Sequence, residues 1–193
     1  MVLQRFFIAL VPPPEIQAAI NEIKDYFRRQ YDSRKAFNSP PHITLQAPFE
    51  WSTEQDLDEL VEGLKGFASK RKGEIAIALR NFGAFPPKVI YVDVVQNPEL
   101  MALQHELATL METKYGIVDR RYRSFCPHMT VAFRDLTKAA FHQAWSEFQH
   151  KTLAFDFTAQ NLTLLRHSGQ RWQVYQNYPL NTRIEPPNTS SQF

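Results

Sequence analysis

Pro41-His42-Ile43-Thr44-Leu45 recurs 86 residues later as Pro127-His128-Met129-Thr130-Val131. In each copy the histidine and threonine lie two residues apart, and side chains on a strand alternate between faces. Each copy therefore presents an imidazole and a hydroxyl on one side and apolar residues on the other. One His-x-Thr at the start of a strand is commonplace. Two in matching contexts, each after a proline and each leading to a phenylalanine (Phe49, Phe133), predict a symmetric cleft with two facing imidazoles.

The flanking sequence repeats as well. Leu3 to Val11 reads as a buried strand, and Ile16, Ala19, Ile20, Ile23 and Phe27 recur at helical spacing up to about Gln30. His42 to Phe49 is a strand. Ser52 or Thr53 caps a helix from Glu54 to about Lys70 with Leu57, Leu60, Val61, Leu64 and Phe67 inward, Gly73 ends it, and a strand from Glu74 to Phe82 runs into a Gly83–Pro87 turn. The second half has the same order: a strand from Lys88 to Val95, then a helix opened by Asn97 and Pro98, running through Leu100, Leu103, Leu107, Leu110 and Met111 and stopped by Gly116. There follow the motif strand His128–Phe133, a Thr137-capped helix with Phe141, Trp145 and Phe148, and one long strand from Leu153 to Arg166. The unit, of roughly 80 residues, is strand, helix, motif strand, helix, strand, and it occurs twice. A pseudo-twofold between the copies places equivalent residues across a shared groove. Ser168-Gly169-Gln170 then returns an edge strand, Arg171 to Tyr178. Residues 1–182 are expected to form one domain of two pseudo-symmetric lobes, and 183–193 a polar, flexible tail.

Composition limits the function classes. With 193 residues, 44% of them hydrophobic, the chain can bury a sizeable core. Its 22 Lys and Arg against 20 Asp and Glu give a net +2, too little for a global argument for nucleic acid. A single cysteine excludes an internal disulfide and a multi-thiolate zinc site and fits a reducing, cytoplasmic setting; Cys126 reads as packing rather than as a nucleophile. The apolar run Phe6–Val11 is too short to span a membrane, and no Walker-type phosphate loop is present.

Two facing histidines suit phosphodiester chemistry, in which a proton leaves an attacking oxygen while another reaches a departing one. An unperturbed imidazole titrates near pH 6.5, so base and acid forms can coexist at neutral pH. Hydroxyls two residues on can donate to the non-bridging oxygens, where charge accumulates. These motifs resemble the paired His-x-Thr signatures of the 2H phosphoesterases, the superfamily of 2'-5' RNA ligases and cyclic nucleotide phosphodiesterases. Arg5 to Leu10 and Phe82 to Val92 also look like that family's first strand and centre. The resemblance implies an α+β bilobal fold, with two antiparallel sheets lining a water-filled groove and helices outside. It further implies metal-independent action, without cofactor, on 2',3'-cyclic phosphate ends or 2'-5' bonds of RNA or nucleotides, with ATP-independent ligation as the reverse reaction.

Carried over by position, the catalytic pair is His42 and His128 and the phosphate-binding hydroxyls are Thr44 and Thr130. The motifs are nearly equivalent and do not decide roles; His42 is taken as acid and His128 as base. Arg134, just past the second motif strand, can add charge for the phosphate, as can Arg123, although an arginine at a strand end is as often solvated. Phe125 and Tyr122 can stack on a base or pack at the rim. The clusters Lys65, Lys70, Arg71, Lys72 and Arg120, Arg121, Arg123 are read as solvated helix ends that can attract RNA. His105, His142, His150 and His167 have no metal-ligand spacing. The chain is expected to be a monomer that does not contact membranes. The alternative to an enzyme is a non-catalytic RNA-end or nucleotide binding module.

Overall fold

The computed structural model describes residues 3–52, 57–71, 74–119 and 124–180. Two four-stranded antiparallel sheets and four helices make an α+β fold. The elements are β1 (Leu3–Leu10), α1 (Pro14–Tyr31), a 3-10 turn (Lys35–Asn38), β2 (Ile43–Ser52), α2 (Leu57–Ser69), β3 (Ala76–Phe85) and β4 (Val89–Val94). They continue with α3 (Pro98–Tyr115), β5 (His128–Ala132), α4 (Lys138–Phe148), β6 (Ala154–Thr158), β7 (Asn161–His167) and β8 (Trp172–Pro179). The first sheet has the order β2-β1-β7-β8 and the second β5-β4-β3-β6. Each motif strand is therefore an edge strand beside the first strand of its own unit, and β2 and β5 approach each other.

The local signals act as expected at several ends. The Asn97 side chain accepts from the Leu100 amide (2.8 Å) at the start of α3, and Gly116 ends that helix at φ 65°, a left-handed conformation open to glycine at little cost. Thr137 accepts from the Ala140 amide (3.1 Å) to cap α4. The expected Thr53 cap, Glu54 helix start, Gly73 stop and the 183–193 tail lie outside the described residues.

Two expectations are corrected. The single strand Leu153–Arg166 is two strands in opposite sheets: β6 pairs with β3, and β7 with β1. The reason is a slip of phase. Apolar residues fall at Leu153, Phe155, Phe157 and Ala159, then at Leu162 and Leu164, and a one-residue shift turns the apolar face over. Likewise β3, read as closing the first unit, lies in the second sheet, held to β4 by a tight hairpin and continuing to Phe85. The last strands thus cross between lobes. With that exchange, β2, β1, β7 and β8 correspond in order to β5, β4, β3 and β6.

Helices cross over too. α1 packs against β5, the other unit's motif strand, while α3 packs against β2. One apolar core runs through both halves, from Phe6, Ile8 and Leu10 on β1 to Met129 and Val131 on β5 and Phe141 on α4. Phe27 of α1 meets Phe148 of α4 at 4.6 Å between ring centroids. No helix among the described residues is long and apolar enough to cross a membrane.

Asp135, just past β5, ties this junction together. It accepts from Ser33 Oγ (3.0 Å) on one oxygen and from the Arg34 and Lys35 amides (2.7 and 2.9 Å) on the other. Ser33 is fully buried. Asp135→Ala leaves that hydroxyl unsatisfied and is expected to cost about 1–3 kcal/mol, read as a lower urea midpoint at unchanged slope.

Candidate active site

The two motifs match in burial residue for residue: proline buried, histidine half-buried, Ile43 or Met129 buried, threonine half-buried, Leu45 or Val131 buried. His42 lies just before β2 and His128 opens β5. Their anchoring is also the same. His42 Nδ1 lies 2.7 Å from the Pro40 carbonyl and His128 Nδ1 lies 2.8 Å from the Cys126 carbonyl. A carbonyl only accepts, so each Nδ1 carries the proton, and in the neutral ring Nε2 keeps the lone pair.

Aromatic rings brace both imidazoles. His42 packs on Phe7 of β1 (4.8 Å between centroids), and Phe7 meets the Trp172 edge at 4.8 Å. His128 packs on Tyr91 of β4 and Phe85 of β3, each at 5.1 Å. Tyr91 can lie there because its cross-strand partner is Gly83. A Cβ at that position would sit 2.4 Å from the Tyr91 ring. Gly83→Ala is expected to displace Tyr91 and shift the His128 ring signals in an imidazole NMR spectrum, while leaving those of His42 unchanged.

Thr44 pairs with Ala9 and Thr130 with Tyr91, on the faces that carry the imidazoles. Neither hydroxyl has a hydrogen-bond partner among the described residues. By contrast, the hydroxyls of Thr109, Thr113 and Thr163 are each bonded.

Burial holds the His42 imidazole well below its usual range, at about 4; its bond to Pro40 opposes this, and the nearby charges of Lys24 and His128 add to it. The ring is therefore neutral at pH 7. Because the folded value lies below the unfolded 6.5, the unfolded chain holds the extra proton between these values, and stability is lost as pH falls through that window, by about 3 kcal/mol. The difference in urea-derived stability between pH 7 and pH 4 is expected to shrink by that amount in His42→Gln.

Other sequence candidates fall elsewhere. Arg134 is exposed at φ 60°, its guanidinium 5.2 Å from the Phe133 ring centroid. It lies four residues beyond Thr130, past the end of β5 at Ala132. Phe125 packs against the core. Desolvation and Asp93 push the Cys126 thiol up, so it is not a thiolate at neutral pH. Lys65 and Arg71 pair with Glu62 and Glu106. Tyr122, Lys72, Arg120, Arg121 and Arg123 lie outside the described residues. Among the described residues no three His, Cys, Asp or Glu side chains form a metal-holding group.

Phe7, Phe85, Tyr91, Trp172 and Lys24 join the site without having been marked by any motif. For Phe7 and Lys24 there was a signal. β1 is apolar on both faces, with Phe7, Ala9 and Leu165 in a small cluster of their own, and a lysine interrupts the inward stripe Ile16, Ile20, Lys24, Phe27 of α1.

Two antiparallel sheets whose edge strands each carry a His-x-Thr are the frame of a two-histidine, or 2H, phosphoesterase. The family model of the 2'-5' RNA ligase superfamily matches residues 12–171, and the chain belongs to that family. It is 31% identical over 178 residues to a protein of Geobacillus sp. (strain WCH70) named as a phosphoesterase, covering 90% of this chain and 95% of the relative. A similarly named protein of Bacillus cytotoxicus is 30% identical over 176 residues, with the same coverage. Escherichia coli LigT in its apo form superposes with a TM-score of 0.68 at 21% identity, covering 94% of this chain and all of LigT. A Thermus thermophilus protein gives 0.68 at 19% identity, over 93% and 99% of the two chains. LigT has also been solved with 3'-AMP, with ATP and with NADP+. The protein is thus a phosphoesterase enzyme of this superfamily.

Proposed function

We propose that the enzyme opens 2',3'-cyclic phosphates at RNA ends or on nucleotides, without a metal, through His42 and His128. The observation that carries this reading is the matched anchoring of the two imidazoles, each with Nδ1 on the carbonyl two residues back and, two residues on, a threonine hydroxyl without a hydrogen-bond partner among the described residues. Nucleotide substrates are supported by LigT, which takes 3'-AMP.

In hydrolysis, water attacks phosphorus and gives its proton to Nε2 of His42, the ring that burial keeps neutral. The bond from phosphorus to the ribose 3' oxygen breaks, that oxygen takes a proton from His128 Nε2, and a 2'-phosphate remains. This exchanges the roles expected at the sequence level, where His42 is taken as acid and His128 as base. Thr44 and Thr130 donate to the non-bridging oxygens, and Arg134 adds positive charge for the phosphate. With a ribose 5' hydroxyl in place of water, the same ring opening forms a 2'-5' bond and frees the 3' hydroxyl; its reverse, attack of that 3' hydroxyl on phosphorus with loss of the 5' oxygen, cleaves the 2'-5' bond and re-forms the cyclic phosphate. The catalytic unit is a monomer comprising residues 1–182.

The test is a panel of terminal RNA cyclic phosphate, cyclic mononucleotide, 2'-5' linked RNA and ADP-ribose cyclic phosphate, each assayed with EDTA. Turnover of at least one supports the reading; loss of all turnover in EDTA that zinc or magnesium restores contradicts it. The profile of kcat/KM against pH is expected to keep its acidic limb near pH 4, since that limb reports protonation of free His42.

A further inference from the structure

Lys24 is the one lysine or arginine among the described residues that the fold buries, with 1% of its surface exposed. It faces inward from α1 between Ile20 and Phe27, where a leucine would continue the apolar stripe. Its Nζ donates to the Ser39 carbonyl (3.1 Å) and lies 6.0 Å from the Phe37 ring centroid. No carboxylate among the described residues pairs with it. A buried, unpaired ammonium is costly, and an apolar side chain in its place is commonly neutral or stabilising. A group kept at such cost next to a reaction centre is a candidate for work there.

Its neighbour shows what that work is. The Ser39 carbonyl that Lys24 holds is one residue from the Pro40 carbonyl that holds His42. We propose that Lys24 is a positioning residue for His42: its ammonium anchors the Ser39–Pro41 turn that orients the imidazole and keeps a positive charge near that ring. This rests on the reading of His42 as the general base. A like charge disfavours the imidazolium, in the same direction as the burial of His42. Burial lowers the Lys24 value from 10.5 to about 8, so the ammonium stays charged at neutral pH.

Among the described residues, the other charged groups around this corner do not neutralise it. His128 faces it from β5, and Asp135 has both oxygens on Ser33, Arg34 and Lys35. Lys35 of the 3-10 turn is a cation, and Asp25 on α1 pairs with Arg28 and Arg29.

Lys24→Met, Lys24→Gln and Lys24→Arg separate charge from anchoring. Three readouts apply: thermal unfolding, the His42 midpoint by imidazole NMR in the unliganded protein, and kcat and KM against pH. Lys24→Met is expected to unfold at the same or a higher temperature and to raise the His42 midpoint by roughly half to one pH unit. Its kcat should fall about tenfold with KM little changed. Lys24→Gln keeps a donor for Ser39 and recovers part of kcat but not the midpoint; Lys24→Arg keeps the midpoint low. Wild-type stability should also rise between pH 8 and 10.5, where the unfolded chain holds the extra proton, and Lys24→Met should lack that rise.

A Lys24→Met enzyme with the wild-type midpoint and kcat overturns the proposal. So does one whose activity falls only in step with stability while the midpoint stays put. If Lys24→Met does not fold, Lys24→Gln carries the same comparison. Because the NMR midpoint needs no turnover, it judges the link between Lys24 and His42 even if the assignment of His42 as base fails in the activity assay.

Discussion

Alanine at His42 or His128 is expected to cut turnover of a 2',3'-cyclic phosphate by roughly 10² to 10⁴-fold, the range for losing one positioned proton transfer. The two losses should not multiply. Residues that act on one transition state as a unit lose most of their joint contribution with the first removal, so the double variant should fall little below the weaker single one. Folding should survive, because each ring is half-buried and packs on one or two aromatic neighbours rather than in the main core. The variants also differ in a telling way. His42→Ala removes the group whose protonation sets the acidic limb near pH 4, whereas His128→Ala leaves that limb in place. Initial rates across pH, with circular dichroism to show an intact fold, read both effects.

Valine at Thr44 or Thr130 is the second large effect, expected at roughly 10² to 10³-fold in kcat, as for one donor to a developing oxyanion. The hydroxyls have no protein partner to lose among the described residues, so stability should change little and the cost should fall on the transition state. KM should move less than kcat, because non-bridging charge grows as the ring opens. Equal losses in kcat and stability would instead assign the hydroxyls to the fold.

The candidate site was legible because the motif encodes its own geometry. An edge strand with His and Thr at i and i+2 needs no long-range information to point both the same way, and the matched prolines and phenylalanines marked the repeat. Pairing across lobes was not legible. Nothing local in Leu79 or Phe155 says that β3 joins the second sheet, and the break between β6 and β7 shows only as a phase slip around Ala159 that periodicity alone reads through. The aromatic braces were hidden for the same reason: Phe85, Tyr91 and His128 meet only after three strands pair. The electrostatic setting of His42 was beyond sequence altogether. Burial first, and then the charge of Lys24 on α1, 18 residues away in the chain, favour its neutral ring.

The most direct test follows adenosine 2',3'-cyclic phosphate by phosphorus NMR with the wild-type enzyme, His42→Ala and His128→Ala, all in EDTA. The wild type is expected to convert the cyclic phosphate signal to that of the 2'-phosphomonoester, and both variants to leave it nearly untouched over the same time. Conversion by either variant at the wild-type rate would contradict that expectation.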